Sequence, residues 1–453
     1  MKRFFESILN TWITENERKP LVLRGARQVG KTWLVRHFAQ HHQKELIEIN
    51  FERDPQARTW FSSNDPHKIL GELSLALNRL ITPENALLFL DEIQAAGEIL
   101  AKLRWFAEEM PQLAVIASGS LLEFTLSDHT FSMPVGRIKF LHLEPMCFTE
   151  FLDANDQTIL HERLRSWRWD DEFSPALHEQ AQSWFQRYIM TGGMPAIVAQ
   201  DASGLSPQKC RDLQLDLIAT YRADFAKYTG RMRADILDAV LLAVSRSLGR
   251  KFVYAHAGEG LRHYQVKAAL ELLASAKVCH LVRYSPANGL PLGGEVKDTF
   301  RKAIFNDVGI LHALLRTPAS GAFPAWESIA PQVRGQITEQ ITGQQLRMLG
   351  PFSGDGPQLY YWQREGGRPG DVDFLVQVQD RIVPLELKSG TAGSMKSLHQ
   401  FMFDKKLDLA LRFDRNPPSQ LDLKVKTTQG NTVRYRLLCL PLYMTEFAGG
   451  IVK

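Results

Sequence analysis

Lys19–Phe38 reads KPLVLRGARQVGKTWLVRHF, an apolar strand that runs through a glycine-framed loop directly into a helix. Gly25, Gly30, Lys31 and Thr32 fit the phosphate-binding pattern G-x-x-x-x-G-K-[ST]. That spacing serves a loop whose backbone N–H groups point inward at a phosphate, where a Cβ at either glycine would obstruct. The candidate cradle is therefore Gly25, Ala26, Arg27, Gln28, Val29 and Gly30. Lys31 reaches the β- and γ-phosphates, Thr32 offers a hydroxyl to Mg²⁺, and the helix that opens there turns its positive end toward the anion.

Outward from this loop, strands and helices alternate. Leu46–Asn50, LIEIN, is a second short apolar strand, and the helical run GELSLALNRLI follows it. Ala86–Leu90 is a buried apolar run ending in Asp91 and Glu92. By itself the acidic pair reads equally as a helix cap. Downstream of a phosphate loop it reads as a Walker B strand, with Asp91 holding Mg²⁺ through water and Glu92 polarising the attacking water. Leu113–Ala117 is a further buried strand, and the hydroxyls of Ser118 and Ser120 at its end are candidates for sensing the γ-phosphate or the attacking water. Arg137, just ahead of another strand, is either a phosphate sensor or a surface cation. The alternation predicts a doubly wound parallel α/β nucleotide-binding core over residues 1–150.

Composition bounds the remainder. With 453 residues the chain has room for several cores, and its 44% hydrophobic and 23% charged content is that of a folded soluble protein. The N-terminal apolar residues Phe4, Phe5, Ile8, Leu9, Trp12 and Ile13 follow a helix face and not a signal-peptide core. No apolar run is long enough to span a bilayer, so no membrane partner is expected. Cys147, Cys210, Cys279 and Cys439 are far apart and include no C-x-x-C, which argues against a zinc site or disulfide framework and for a cytoplasmic location. A net charge of +4 allows nucleic-acid binding without requiring it.

Residues 151–228 turn helical, a lid with Trp167, Trp169 and Trp184 and the glycine turn in YIMTGGMPAIV. The cluster Ser166–Trp169, SWRW, either stacks on bases or fills a helical core. Residues 229–324 carry amphipathic helices at Arg233–Leu248 and Gln265–Ala276 and then a hairpin, the order of a winged helix that would offer Arg262, His263 and Lys267 to DNA. Residues 325–453 hold a second constellation in GDVDFLVQVQDRIVPLELKSG, Gly370–Gly390. Glu386 and Lys388 project from the same face of a strand, with Asp373 one hairpin earlier. These residues are either a solvated edge or a metal-dependent phosphodiester site. In the second case Asp373 and Glu386 hold Mg²⁺, Lys388 orients the water and Glu339 adds a carboxylate.

The order of motifs resembles a prokaryotic family of ATPases that join an AAA-like P-loop domain to a C-terminal domain of unknown function, DUF4143. The residues that carry the resemblance are GARQVGKT, LLFLDEIQ, SGS, Gly136-Arg137, LEPMCFTEF, GGMPAIV, FRKAIFNDVGILHALL, DVDFLV and LELKSG. The resemblance implies a C-terminal domain like the PD-(D/E)xK nuclease fold, with Glu339, Asp373, Glu386 and Lys388 at the nuclease positions, preceded by a winged helix. Ser118 departs from the asparagine or threonine that often senses phosphate in such proteins. Two functions follow as expectations. One is an ATP- and Mg²⁺-dependent ATPase coupled to a module directed at double-stranded DNA and able to cut it. The other is an ATP-driven signalling switch whose C-terminal domains bind a protein partner, or another copy, without cutting.

Overall fold

A computed structural model describes residues 1–119, 122, 134, 136–225, 232–317, 326, 329–365, 370–390 and 393–452, with the backbone alone at 298–300. The chain forms two compact units: Met1–Glu144 with Ser275–Lys277 and Gly350–Pro357, and Pro145–Ala274 with Val278–Leu349 and Gln358–Lys453. The first division falls close to the expected one at residue 150. The divisions expected after 228 and 324 fall inside the second unit.

The first unit runs α1 (Phe5–Ile13), β1 (Leu21–Arg24), α2 (Lys31–His41), β2 (Glu45–Asn50), α3 (Pro66–Ala76), β3 (Ala86–Asp91), α4 (Glu98–Glu109), β4 (Ala114–Ser118) and β5 (Lys139–His142). Its five strands are parallel in the order β2-β3-β4-β1-β5. Side-chain alternation explains why β3 is apolar throughout. Leu88 and Leu90 pack on one face with Val22, Ile47 and Val115 under α3 and α4, while Leu87 and Phe89 pack on the other with Leu21, Leu23 and Ile116 under α1 and α2. A strand covered on both sides cannot afford a polar residue until it ends, and β3 ends on Asp91. The segment Gly350–Pro357 belongs to this unit: Phe352 accepts the His142 N–H at 2.8 Å and packs its ring 5.1 Å from that of Phe5.

The second unit continues with α5 (Phe148–Ala154), α6 (Thr158–Ser166), α7 (Pro175–Thr191), α8 (Pro195–Ala202), α9 (Pro207–Phe225), α10 (Ala234–Ser247), α11 (His263–Ser275), β6 (Cys279–Tyr284), β7 (Lys297–Phe305), α12 (Val308–Leu314) and α13 (Pro331–Leu346). It ends with β8 (Leu359–Gln363), β9 (Asp371–Val378), β10 (Arg381–Leu387), α14 (Lys396–Lys405), β11 (Leu409–Asp414), β12 (Ser419–Lys426), β13 (Thr432–Pro441) and α15 (Ala448–Ile451). Its strands form one mixed eight-stranded sheet, ordered β12-β13-β11-β10-β9-β8-β6-β7. The hairpin β6–β7 follows two helices, as the sequence suggested, but it is not a free wing. Strand β6 also pairs in parallel with β8, so the hairpin is the continuation of the C-terminal sheet.

Three of the quoted motifs meet in the core of this unit. The Met146 N–H donates to Gly193 O at 2.7 Å, and Asp307 accepts from the N–H groups of Gly193 at 2.6 Å and Gly309 at 2.9 Å. Tyr188 donates to Met146 O at 2.7 Å. A Cβ on Gly193 would stand 2.1 Å from Met146 O, so the GGMP turn requires glycine there. Burial raises the Asp307 carboxyl to about 6, and these N–H donors pull against that rise. LEPMCF, GGMP and FNDVG are thus read as a structural knot. Among the described residues no helix is long and apolar enough to cross a membrane, and all four cysteines are buried and unpaired.

Candidate functional site

The phosphate loop leaves the carboxyl end of β1 in a conformation that its sequence explains. Gly25 has φ +142° and Gly30 φ +92°, both in the region that disfavours a Cβ, and Gln28 also takes φ +63°. Space is short as well, since a Cβ on Gly25 would lie 2.5 Å from Leu143 O. Arg3, 4% exposed, braces the loop from behind by donating to Val29 O at 3.0 Å and to Glu144 O at 2.7 Å. No motif pointed to Arg3, because its partners are backbone carbonyls distant in sequence.

Lys31, only 8% exposed, turns its Nζ onto Gly25 O and Ala26 O, at 3.0 Å each. Burial lowers its pKa to about 8, opposed by Glu92 and Asp91 and assisted by Arg27. A buried ammonium resting on two carbonyls is a cation held ready for a stronger anion, and phosphate oxygens would supply it.

Strand β4 lies between β1 and β3, so the residue at its carboxyl end stands between the phosphate loop and the end of β3. That residue is Ser118, whose hydroxyl donates to Asp91 Oδ1 at 2.5 Å. Thr32 Oγ1 donates to Asp91 Oδ2 at 3.2 Å, and Asn50 Nδ2 reaches the same oxygen at 3.3 Å. Burial raises the Asp91 pKa; the Ser118 and Thr32 hydroxyls counter that rise, while neighbouring Glu92 adds to it. A hydroxyl and a carboxylate oxygen at this spacing are hard donors of the kind Mg²⁺ takes, so Thr32 and Asp91 fit it. Bound there, Mg²⁺ would neutralise charge on the phosphates.

Glu92 takes a left-handed backbone, φ 50° and ψ 44°, which is unusual for a residue with a side chain and costs strain. Its Oε2 accepts from Gln94 Nε2 at 2.6 Å. Gln94 also sits hard against Gly119, where a Cβ would lie 2.1 Å from Gln94 Oε1. Asn50 and Gln94 escaped the sequence reading because an amide near a strand end has no diagnostic spacing.

One expected participant, Arg137, is not brought in, and another cannot be placed. Ser120 lies outside the described residues. Arg137 precedes β5, which runs parallel to β1 with Lys139 opposite Leu21. It therefore sits at the amino edge of the sheet, across the strand length from the loop, and it pairs there with Glu108 at 2.6 Å. The sensor reading of Arg137 is corrected to a surface ion pair.

The C-terminal constellation is assembled differently from its sequence reading. Lys388 and Glu386 do share a face and meet at 2.5 Å. Asp373 Oδ2 accepts the Leu387 N–H at 2.7 Å. Glu339, on α13, pairs at 2.9 Å with Lys302 of β7, a lysine 3% exposed that also lies 3.9 Å from Asp371 and 5.0 Å from the Tyr361 ring. Burial opposes the charge of Lys302, but Glu339, Asp373 and Asp371 outweigh it and hold its pKa above the ordinary value. The Asp373 carboxyl is pushed well up by burial and then by Glu386 and Glu339. Glu386 is raised by burial against the pull of Lys388. Among the described residues no three His, Cys, Asp or Glu side chains are grouped to hold a metal ion. Each carboxylate is already served by a lysine or a backbone donor, so the set does not fit a metal in this arrangement. Lys302 was missed because it lies in a different stretch from the motifs it joins.

A phosphate loop, a metal-competent aspartate and a following glutamate, gathered at the carboxyl ends of a parallel sheet, define a P-loop nucleotide-binding domain of the ATPase class. Residues 17–152 match the family model described as AAA domain, residues 182–321 the domain of unknown function DUF8612 and residues 334–418 the domain of unknown function DUF4143. The chain thus carries an AAA-type P-loop domain followed by a DUF4143 domain. Among solved structures it is similar to a Walker-type ATPase of Pyrococcus abyssi, at 17% identity over 69% of this chain and 95% of that one, with a TM-score of 0.43. It is also similar to the Aeropyrum pernix ORC2 protein in ADPNP–ADP complexes, at 12% identity over 62% and 88% of the two chains, with a TM-score of 0.30. No curated protein matches the chain.

Proposed function

We propose that this protein binds and hydrolyses ATP with Mg²⁺ and couples its nucleotide state to a DNA-directed second unit. The observation that carries the ATPase reading is Asp91, held by Thr32, Ser118 and Asn50 beside the phosphate loop with Glu92 next in the chain. In this reading Lys31 leaves its two loop carbonyls for the β- and γ-phosphates, and Glu92 orients the attacking water. The test is a pair of substitutions. Lys31→Ala should lose ATP binding, whereas Glu92→Gln should bind ATP and hydrolyse it at least about ten-fold more slowly, because only the water-activating step is touched. Unchanged turnover in the Gln variant would remove Glu92 from the site.

The order α13, antiparallel β8-β9-β10, α14 and then β11 parallel to β10 supports the nuclease-like reading of the C-terminal domain, with Glu339, Asp373, Glu386 and Lys388 carried on α13, β9 and the end of β10. The switch reading, in which this domain binds a partner without cutting, is favoured by one specific observation: the Lys302–Glu339 pair places a fixed cation among the carboxylates. Incubating the whole protein with duplex DNA and Mg²⁺ or Mn²⁺, with and without ATP, separates the two, since only the first predicts strand breaks.

A further inference from the structure

The last strands of the eight-stranded sheet present a face with three cations that no carboxylate in the described structure answers. In the β12–β13 pair, Lys424 stands directly opposite Arg434, and Asp422 opposite Arg436. Like charges directly opposite one another across antiparallel strands are destabilising, and an anion lying between them removes the cost. Asp422 answers Arg436 at 3.1 Å. Lys424, Arg434 and Arg381 have no ion-pair partner among the described residues.

These residues line one groove of about 710 Å³, and Trp169 forms part of its wall. The Trp169 indole N–H is buried and has no acceptor among the described residues, while its ring meets Trp167 edge-on at 5.0 Å. The groove is also separate from the acidic constellation. Leu409 pairs with Arg436, whereas Glu386 pairs with Arg412, and successive residues of a strand face opposite ways. The groove, whose lining also includes Asp408 and Asp422, and the Glu386 carboxylate therefore lie on opposite faces of the sheet.

We propose that this groove binds single-stranded nucleic acid, with Arg381, Lys424 and Arg434 on its phosphates and Trp169 against a base. The proposal rests on the nucleic-acid-directed reading above and moves the contact surface from α11 to the sheet. Such a strand answers the groove's charge and its aromatic wall. Phosphates relieve the Lys424–Arg434 opposition, guanidinium groups match phosphate geometry, and a base offers a face for the Trp169 ring to stack on. A positively charged groove with an aromatic wall is how proteins hold single strands without reading sequence.

The test is fluorescence anisotropy of a labelled oligothymidine of about 15 nucleotides, the upper range for one such groove, with the whole protein. Lys424→Ala/Arg434→Ala should weaken binding at least about ten-fold at low salt and flatten the dependence of log affinity on log salt by about 1.4, two phosphate contacts at about 0.7 each. Its melting temperature should be no lower than wild type, since a like-charge opposition is removed, and its ATP turnover without nucleic acid should be that of wild type. Trp169→Leu should weaken binding about five-fold or more with the salt slope unchanged, because stacking is uncharged. If the double variant binds as wild type while Arg262→Ala/Lys267→Ala does not, the groove assignment is overturned and the DNA-directed function stands. If wild-type protein binds neither single strand nor duplex in any nucleotide state, that function falls too. Tighter binding of a duplex than of the single strand through the same residues overturns the single-strand assignment. Equal competition by polyglutamate overturns the nucleic-acid assignment in favour of an acidic protein partner.

Discussion

Lys31 concentrates the physics of the nucleotide site in one side chain. Its pKa of about 8 reflects burial without a phosphate, and bound phosphates would hold it protonated. Above pH 8 the free site is therefore partly deprotonated and the complex is not, so ATP binding takes up protons. Affinity should then fall as pH rises past 8, approaching about ten-fold per pH unit. Calorimetry of ATP binding near pH 9 in two buffers of different ionisation enthalpy should give unequal heats; equal heats would show that Lys31 does not change its protonation. The role proposed for the residue comes from its place in GARQVGKT, whereas its resting position on Gly25 O and Ala26 O was not legible there, because that depends on how deeply the loop is buried.

At the scale of elements, the phosphate loop and the second sheet each depend on close approach. Gly25→Ala should cost about 1–3 kcal/mol through its backbone conformation alone, with the contact to Leu143 O adding to it. The expected result is a lower melting temperature together with loss of ATP binding; an Ala variant with wild-type affinity would show that the loop has room to shift. In the second sheet, Lys302→Met would leave Glu339 buried without a counter-charge and should destabilise the protein by about 3–5 kcal/mol. Lys302→Met/Glu339→Gln should recover most of that loss, since a neutral pair needs no compensation. Urea unfolding of the single and double variants checks this, and an additive double variant would show that the two residues do not act as a pair. Strand β9 was readable from period-two alternation and β10 as a buried apolar run, with a short turn between them. The membership of β6 and β7 in the same sheet was not, because hydrogen bonding between β6 and β8 joins segments separated by α12 and α13.

For the whole molecule, the question is whether the acidic constellation is a reactive centre or a partner surface. In the absence of nucleotide, Mn²⁺ should raise the melting temperature of the full chain if Asp373 and Glu386 rearrange to bind it, and Asp373→Asn should remove that shift. Lys388→Ala should leave the shift in place, because lysine is not a ligand. No shift in the wild-type protein, with no strand breaks, would leave the C-terminal domain as an interaction module. That outcome would still be compatible with an ATPase whose second unit holds nucleic acid on the opposite face of its sheet.

The sequence by itself determined the parallel nucleotide-binding core, the phosphate loop, and the placing of Asp91 and Glu92 at a strand end. All of these are written locally, in glycine spacing and in a buried run that stops at an acidic pair. It also supplied Glu339, Asp373, Glu386 and Lys388 as residue types. Only the tertiary structure decided their partners: Lys302 came in from β7, and Arg137 went to the far edge of its sheet. It also set Lys424 opposite Arg434. Periodicity reports which face of its own element a side chain takes; which other face it meets is fixed by strand order and register, and these depend on the packing of the whole chain.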